Sequence, residues 1–310
     1  MRILITAING DLGLSLARVI SEIEGVEYVL GTDINTFCSS FGMVDDFQVL
    51  PAGSDVHYQA ALEALIEKNA IDFVLFGSEI EIRAVRNFRC TDFLDVINRS
   101  LTKGDEALIS FNKLLVYDYL KGLGINTPYT VPLSNRVQPQ IPCVIKPTQG
   151  AGSVGVSIIR SYKDFKAIAD QGTKDLLYQD YIDSDEEYTS AFIRLDEFQD
   201  LIVFRRILRG GVSVYVERVE DIEIISQLME ILALISIEGV LNIQFKIRDH
   251  RICIFEINPR LSSTVYLRHK MGFRDAEYLL RYRLGRMTGS TKFQLLPNKI
   301  GVKRYEEILF

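Results

Sequence analysis

The twenty residues 241–260, LNIQFKIRDHRICIFEINPR, constrain this chain more than any other stretch. NIQFKI and RICIFEI are rich in β-branched and apolar residues, and Asp249 and His250 lie between them as turn formers. The pattern predicts two antiparallel strands joined by a tight turn. Side chains alternate across a strand, so Glu256 and Asn258, two apart, share a face. With Gln244 on the first strand, three oxygen-bearing side chains are brought to one place on neighbouring strands. Mg²⁺ takes oxygen ligands and is commonly held by one or two carboxylates, with substrate phosphates and water completing its shell. Pro259 ends the strand, and Arg260 follows as a fixed cation suited to a phosphate. On these residues alone, a metal site and a merely solvated strand end stand about level.

A chain of 310 residues with 47% apolar and 25% charged side chains is long enough for two or more packed units around a large core. Its formal net charge of -6, with no cluster of Lys and Arg interleaved with aromatics, argues against nucleic-acid partners. The longest strongly apolar run, 231–237, is flanked by Glu230 and Glu238 and is far too short to span a bilayer, so it reads as a buried helix. The opening residues MRILITA lead straight into Asn9-Gly10 without the length or cleavage pattern of a signal peptide, and a cytoplasmic protein with no membrane partner is expected. Cys38, Cys90, Cys143 and Cys253 are widely spaced, with no CxxC pair. Buried, reduced thiols are expected rather than a metal site or disulfides.

Residues 1 to about 100 alternate strand and helix: strands over 2–7, 28–32, 47–50 and 71–76, helices over 12–23 and 58–69. Such alternation predicts an open parallel sheet wrapped by helices. Asn9-Gly10-Asp11-Leu12-Gly13 sits where a dinucleotide fold places its phosphate-binding turn, and Asp33 where such a fold places a ribose-binding acid. The GxGxxG spacing is absent, however, which favours a turn that needs glycine for backbone reasons. Glu79 and Glu81 follow the fourth strand at the carboxyl end of the sheet, facing a substrate or opening the next helix. The polar segment 100–105 is the best candidate for a domain boundary.

A helix over 105–122 carries Lys113, and a break at 126–128 precedes a strand over 129–132 and a loop over 134–142 with two prolines. Residues 143–158, CVIKPTQGAGSVGVSI, read as strand, glycine-rich loop and returning strand. This differs from a P-loop, whose glycines lead into a helix. A hairpin with Gly150, Gly152, Ser153 and Gly155 can still fold over phosphates and offer backbone N–H groups, with Lys146 on the strand beneath as a point charge. A helix over 162–170, a strand over 176–180 and the segment Gln179-Asp180-Tyr181-Ile182 come next, then an acidic run over 183–187. A strand edge that becomes a linker can hydrogen-bond an adenine through its backbone, and Glu187 can accept from a ribose hydroxyl; an acidic solvated loop is the alternative. Arg206 and Arg209 in FRRILRGG are candidate contacts to phosphates or an acceptor carboxylate, although exposed arginines on an edge strand are the common case.

The order of these features resembles the ATP-grasp superfamily, and within it small stand-alone members similar to the ATP-binding halves of the carbamoyl-phosphate synthase large chain. The fold class implied is α/β and α+β: a Rossmann-like pre-ATP-grasp domain (1–104), then an ATP-grasp fold of two α+β subdomains. The first of these (105–178) carries the glycine-rich loop, and the second (179–310) carries the metal site, a helix after Gly272 and a closing strand over 302–308. By this resemblance Lys113 and Lys146 contact ATP phosphates, and Gly150, Gly152, Ser153 and Gly155 belong to the loop that closes over them. Gln179, Tyr181 and Ile182 form the adenine linker, Glu187 binds the ribose, and Gln244, Glu256 and Asn258 are the Mg²⁺ ligands, with Mn²⁺ as a substitute. Lys146 and Arg260 carry the catalytic roles. Gln244 stands where many relatives have an acid, and Gln179-Asp180 where Glu and Lys are common. The activity implied is ATP-dependent activation of a carboxylate to an acylphosphate, followed by attack of an amine or similar nucleophile. A nucleotide-binding accessory subunit and a dinucleotide-dependent enzyme are the alternatives. Ser262, Ser263 and Thr264, with Glu79, Glu81 and the Asn9-Gly10-Asp11 turn, are expected to wall the acceptor pocket, and a homodimer is the assembly considered.

Overall fold

A computed structural model describes residues 1–88, 92–104, 106–133, 138–150, 152–171, 174–287 and 292–304. Cys90, Asp105, the first part of the 134–142 loop and the end of the expected closing strand lie outside the described residues. The chain opens with β1 (Arg2–Ile5), α1 (Asp11–Ile20), β2 (Tyr28–Asp33), β3 (Asp46–Val49), α2 (Tyr58–Lys68) and β4 (Phe73–Leu75). The strands form one parallel sheet in the order β3-β2-β1-β4, as the alternation predicts. Ile3, Leu4 and Ile5 are all buried, because parallel strands carry helices on both faces. Two short helices follow, α3 (Glu79–Val85), whose N-cap Ser78 accepts from Ile80 N, and α4 (Leu94–Arg99).

The expected helix over 105–122 is two helices, α5 (Glu106–Ile109) and α6 (Lys113–Gly122). The break is at Asn112, whose side-chain oxygen accepts from the N–H groups of Leu114 and Leu115 and caps α6, leaving Lys113 as its first residue. A second sheet, order β5-β8-β6-β7, contains β5 (Thr130–Pro132), β6 (Cys143–Pro147), β7 (Ser157–Ile159) and β8 (Leu176–Asp180), with α7 (Tyr162–Ala169) between the last two. Gln179 and Asp180 thus belong to this sheet.

The third sheet comprises β9 (Glu187–Leu195), β10 (Phe198–Arg209), β11 (Val212–Arg218), β12 (Gly239–Arg248), β13 (Arg251–Asn258) and β14 (Ile300–Val302) in the order β13-β12-β9-β10-β11-β14. Its helices are α8 (Ile222–Ala233), α9 (Val265–Lys270) and α10 (Asp275–Arg283). Two expectations are corrected here. β10 is an interior strand between β9 and β11, so Arg206 is not on an edge. The apolar run 231–237 is not one buried helix: α8 ends at Ala233, Leu234 is exposed, and Ile235 and Ile237 enter the core from the loop beyond it. Of the expected closing strand, Val302 ends β14, 303 and 304 are not strand, and 305–308 lie outside the described residues.

One core joins the first and third sheets: Ile3, Ile5, Leu16 and Phe73 pack in the same cluster as Ile193, Phe204, Val240 and Val265. The segment expected as a boundary is correspondingly bonded in place. Lys103 and Glu238 exchange backbone hydrogen bonds of 2.7 and 3.0 Å, and the buried Thr102 hydroxyl donates to Val240 O (2.7 Å) while accepting from Val240 N (3.2 Å). Thr102→Val removes both hydroxyl bonds at a site without solvent, and is expected to lower the urea unfolding midpoint by the equivalent of about 1–3 kcal/mol without loss of secondary structure by circular dichroism.

Candidate active site

The hairpin forms as the sequence predicts, with Asp249 (φ 52°) and His250 (φ 60°) in the left-handed region that a two-residue turn of this kind requires. Asn242 opposes Asn258 and Gln244 opposes Glu256, and then the register slips so that Phe245 opposes Ile254. Phe255 is the extra residue of a β-bulge, and its carbonyl is turned toward Lys146 Nζ at 3.5 Å. Lys146 reaches this point from β6 in the second sheet. The residue is only 4% exposed, and its ammonium donates to Gln179 Oε1 on the adjacent β8 at 2.9 Å. Burial lowers the Lys146 pKa to about 8, opposed by the charge of Glu256 and assisted by that of Lys113.

These contacts close the floor of a cleft of about 860 Å³ between the second and third sheets. Of the residues expected to bind nucleotide, Lys113, Lys146, Gly150, Gly152, Ser153, Gln179, Tyr181, Ile182 and Glu187 all line it, together with Gln244 and Glu256. Gly155 does not; it packs on Pro147 at the base of the loop. Lys113 Nζ donates to Gly150 O at 2.6 Å and so holds the loop from one side. The Gln179 amide, read as part of the adenine site, is used elsewhere: its oxygen accepts a hydrogen bond from Lys146 Nζ and its nitrogen donates to Thr130 Oγ1 at 2.8 Å. It orients the lysine. Val144, Val156, Ile158, Leu208 and Phe255 give the cleft apolar walls suited to a planar base.

Arg206 is a central residue of the cleft rather than a surface cation. Its Nη2 lies 2.7 Å from Glu187 Oε1 and 2.6 Å from Gln244 Oε1, so one guanidinium spans the expected ribose acid and an expected metal ligand. Arg209 is exposed and lines neither this cleft nor the cavity beside it. Lys246 was not singled out from sequence, yet it lines the cleft and donates to Ser184 O at 2.8 Å with its ammonium 5.4 Å from the Tyr181 ring centroid. The signal was there: two residues beyond Gln244, Lys246 shares its face.

A second cavity of about 770 Å³ adjoins the first and shares Gly152, Arg206, Gln244 and Glu256 with it. Arg260 lies here, donating twice to Glu79 Oε1 through Nε (3.2 Å) and Nη2 (2.7 Å). Ser262, Ser263, Thr264, Asp11 and Gly77 also line it. The Ser262 and Thr264 hydroxyls each accept from Arg268 Nη1 at 3.0 Å, and Arg268 pairs with Asp275, both side chains 1% exposed. Nothing in the sequence pattern marks that pair. Four expected walls are corrected: Gly10 does not line the cavity, Glu79 meets it only through Arg260, and Glu81 and Asn9 lie elsewhere. Glu81 is buried behind the cavity, accepting from Thr6 Oγ1 at 2.6 Å, and burial raises its pKa to about 7. Asn9 is turned away, bonding Phe37 O and Ser39 N. Asp33 likewise closes its own loop by accepting from Asn9 N and from Asn35 N and Nδ2, which gives a dinucleotide reading no support.

Asn258 is buried and lines neither cavity; its Nδ2 donates to Glu256 Oε1 at 2.9 Å. No group of three His, Cys, Asp or Glu side chains is placed to hold a metal among the described residues. Cys143 and Cys253 are buried free thiols, each with its pKa raised to about 11 by burial, and Cys38 is a half-buried one.

The sequence family described as the ATP-grasp domain matches residues 110–264, half of the chain. The chain belongs to the ATP-grasp family. D-alanine–D-alanine ligase of Campylobacter jejuni subsp. jejuni serotype O:2 is 32% identical over 102 residues, a match that spans 30% of this chain and 30% of that ligase's length. Among solved structures, N5-carboxyaminoimidazole ribonucleotide synthetase from Thermus thermophilus superposes with a TM-score of 0.71 at 18% identity, covering 94% of this chain and 81% of that one. L-amino acid ligase from Bacillus licheniformis superposes with a TM-score of 0.66 at 16% identity, covering 91% and 74%. At these identities the likeness is one of fold, and it extends over the N-terminal parallel sheet as well as the ATP-grasp sheets.

The ATP-grasp cleft suits a polyphosphate, because Lys113, Lys146 and Arg206 present three cations to one space and the loop adds unhindered backbone. Bound phosphate favours the charged form of Lys146 and so raises its pKa. Below pH 8 the lysine is already protonated; above it, binding must take up a proton. Affinity for Mg–ADP is therefore expected to fall as pH rises through about 8, with proton uptake visible by calorimetry in buffers of different ionisation enthalpy. Lys146→Arg, charged throughout, should flatten that profile from about pH 7 to about pH 9.5.

Proposed function

We propose that this ATP-grasp protein is an ADP-forming ligase that activates a carboxylate as an acylphosphate and passes the acyl group to an amine or similar nucleophile, releasing phosphate. One observation carries the reading: the nucleotide cleft and the second cavity share Gly152, Arg206, Gln244 and Glu256, so a terminal phosphate in the first abuts an acceptor in the second. Neither cavity is lined by histidine or cysteine among the described residues. That composition suits phosphoryl transfer, in which positioning and charge neutralisation replace covalent catalysis.

Each side chain has a role in this reading. Lys146, held by Gln179 and Phe255 O, presents a fixed ammonium to the phosphates, and Lys113 presents a second while holding the loop over them. Tyr181 and Ile182 offer the linker backbone to adenine, and Glu187 offers its carboxylate to the ribose. Glu256 would hold Mg²⁺, or Mn²⁺ in its place, with amide oxygens from Gln244 and, after rotation of its amide, Asn258. A hard cation with a single carboxylate and the rest of its shell from phosphate and water fits that donor set, and when bound it neutralises phosphate charge. Gln244 is also the residue found in the carbamoyl-phosphate synthase-like branch, to which we assign the chain. Arg260, on the acceptor side, balances the charge that develops as the carboxylate attacks, and Glu79 fixes its plane.

The ligase names among the relatives direct the search for substrates to amino acids, which supply both a carboxylate and an amine. The reading also places the chain in the cytoplasm, where its free thiols stay reduced. A screen of amino acids and small carboxylates for ATP-dependent phosphate release is expected to find a pair that raises turnover well above the ATP-only rate. Lys146→Ala and Glu256→Gln should each reduce that turnover by at least about 100-fold with the far-UV circular dichroism spectrum unchanged. Tight Mg–ATP binding with no turnover for any acid would instead favour a nucleotide-binding accessory subunit.

A further inference from the structure

The two-residue turn between β10 and β11, Gly210-Gly211, contributes no side chain, yet it touches the nucleotide loop. Both glycines have positive φ, 57° and 78°. What a Cβ would meet at each differs. A Cβ built on Gly210 meets nothing within 4 Å, whereas one on Gly211 would lie 2.2 Å from the carbonyl oxygen of Gly152 and 2.7 Å from its carbonyl carbon. No rotamer relieves such a clash, because both partners are main chain. Gly152 lines both cavities, and Gly210 and Gly211 both line the second, so this backbone apposition lies at the seam between them. The other side of the loop is held by Lys113 Nζ on Gly150 O.

We propose that Gly211 is the seat on which the glycine-rich loop closes, a positioning residue that seals the junction of the nucleotide and acceptor cavities. The proposal rests on the ligase reading for its consequence, since a sealed seam keeps water from an acylphosphate, but the seat itself is a property of the chain alone. A side chain at position 211 holds the Gly152 end of the loop away from the cleft. Lys113 then anchors only one side, and the loop no longer covers the phosphates.

The twin glycines supply their own control. Asn tolerates the left-handed region better than most residues, so Gly210→Asn and Gly211→Asn carry similar backbone strain, and only the second carries the clash. Amide hydrogen exchange over 150–156 is measured on the protein without nucleotide, and Mg–ADP affinity by calorimetry. Gly211→Asn is expected to exchange in that loop about tenfold faster than Gly210→Asn and to bind Mg–ADP about tenfold more weakly. Equal exchange and equal affinity in the two variants would overturn the seat. Should Gly211→Asn fail to fold, Gly211→Ala against Gly210→Ala repeats the contrast with a smaller side chain. If wild type itself binds no Mg–ADP, the nucleotide reading fails, while the exchange comparison still decides whether Gly211 seats the loop.

Discussion

The buried Lys146 ammonium is the constraint from which the rest of the site follows. A charge so enclosed is tolerated only when its hydrogen-bonding positions are filled, and an unpaired one would cost several kcal/mol. Its partners come from different places: Gln179 on the neighbouring strand of the second sheet, and Phe255 O on the last strand of the hairpin in the third. Satisfying them fixes how the two sheets face each other. The bulge at Phe255 serves both needs, since the slipped residue frees a carbonyl for the lysine while Glu256 beyond it remains opposite Gln244. A second tie, from Lys113 N to Thr148 O, sets the start of α6 against the end of β6 and brings the other ammonium over the same space.

How much of this could be read from residues alone depends on the range of the interaction involved. Strands and helices of the first sheet, the hairpin turn at Asp249-His250 and the strand-loop-strand around Gly150 are written in local periodicity and turn chemistry, and they form within a few residues of where those signals fall. Lys113, Lys146, Gly150, Gly152, Gln244 and Glu256 likewise line one cleft, whereas Gly155 and Asn258 do not. What periodicity could not supply was the pairing between distant elements. Arg206 read as an edge cation because strand order is not local; only the placement of β10 between β9 and β11 turns it toward Glu187 and Gln244. Glu81 and Asn9 read as pocket walls because their elements end at the pocket, yet each finds a nearer partner in Thr6 or the 37–39 loop. The 100–105 segment read as a linker by composition, while Thr102 and Lys103 are bonded to residues more than 130 positions away.

The charge distribution explains why a chain with a formal net charge of -6 can hold a polyanion. Four cations, Lys113, Lys146, Arg206 and Lys246, and three carboxylates, Asp180, Glu187 and Glu256, line the cleft, so the excess there has the opposite sign to the whole molecule. Within that set Arg206 ties up Glu187, and Glu256 is a carboxylate whose charge acts on Lys146. The neutral Gln244 is consistent with this arrangement. An acid in its place would bind the Arg206 guanidinium as a buried ion pair and compete with Glu187 for it. An amide accepts one hydrogen bond from Arg206 without drawing it off Glu187. Arg206 therefore links the Glu187 end of the cleft to the Gln244 end through charged and neutral partners of unequal strength, so a ligand engaging either end changes what the guanidinium offers at the other.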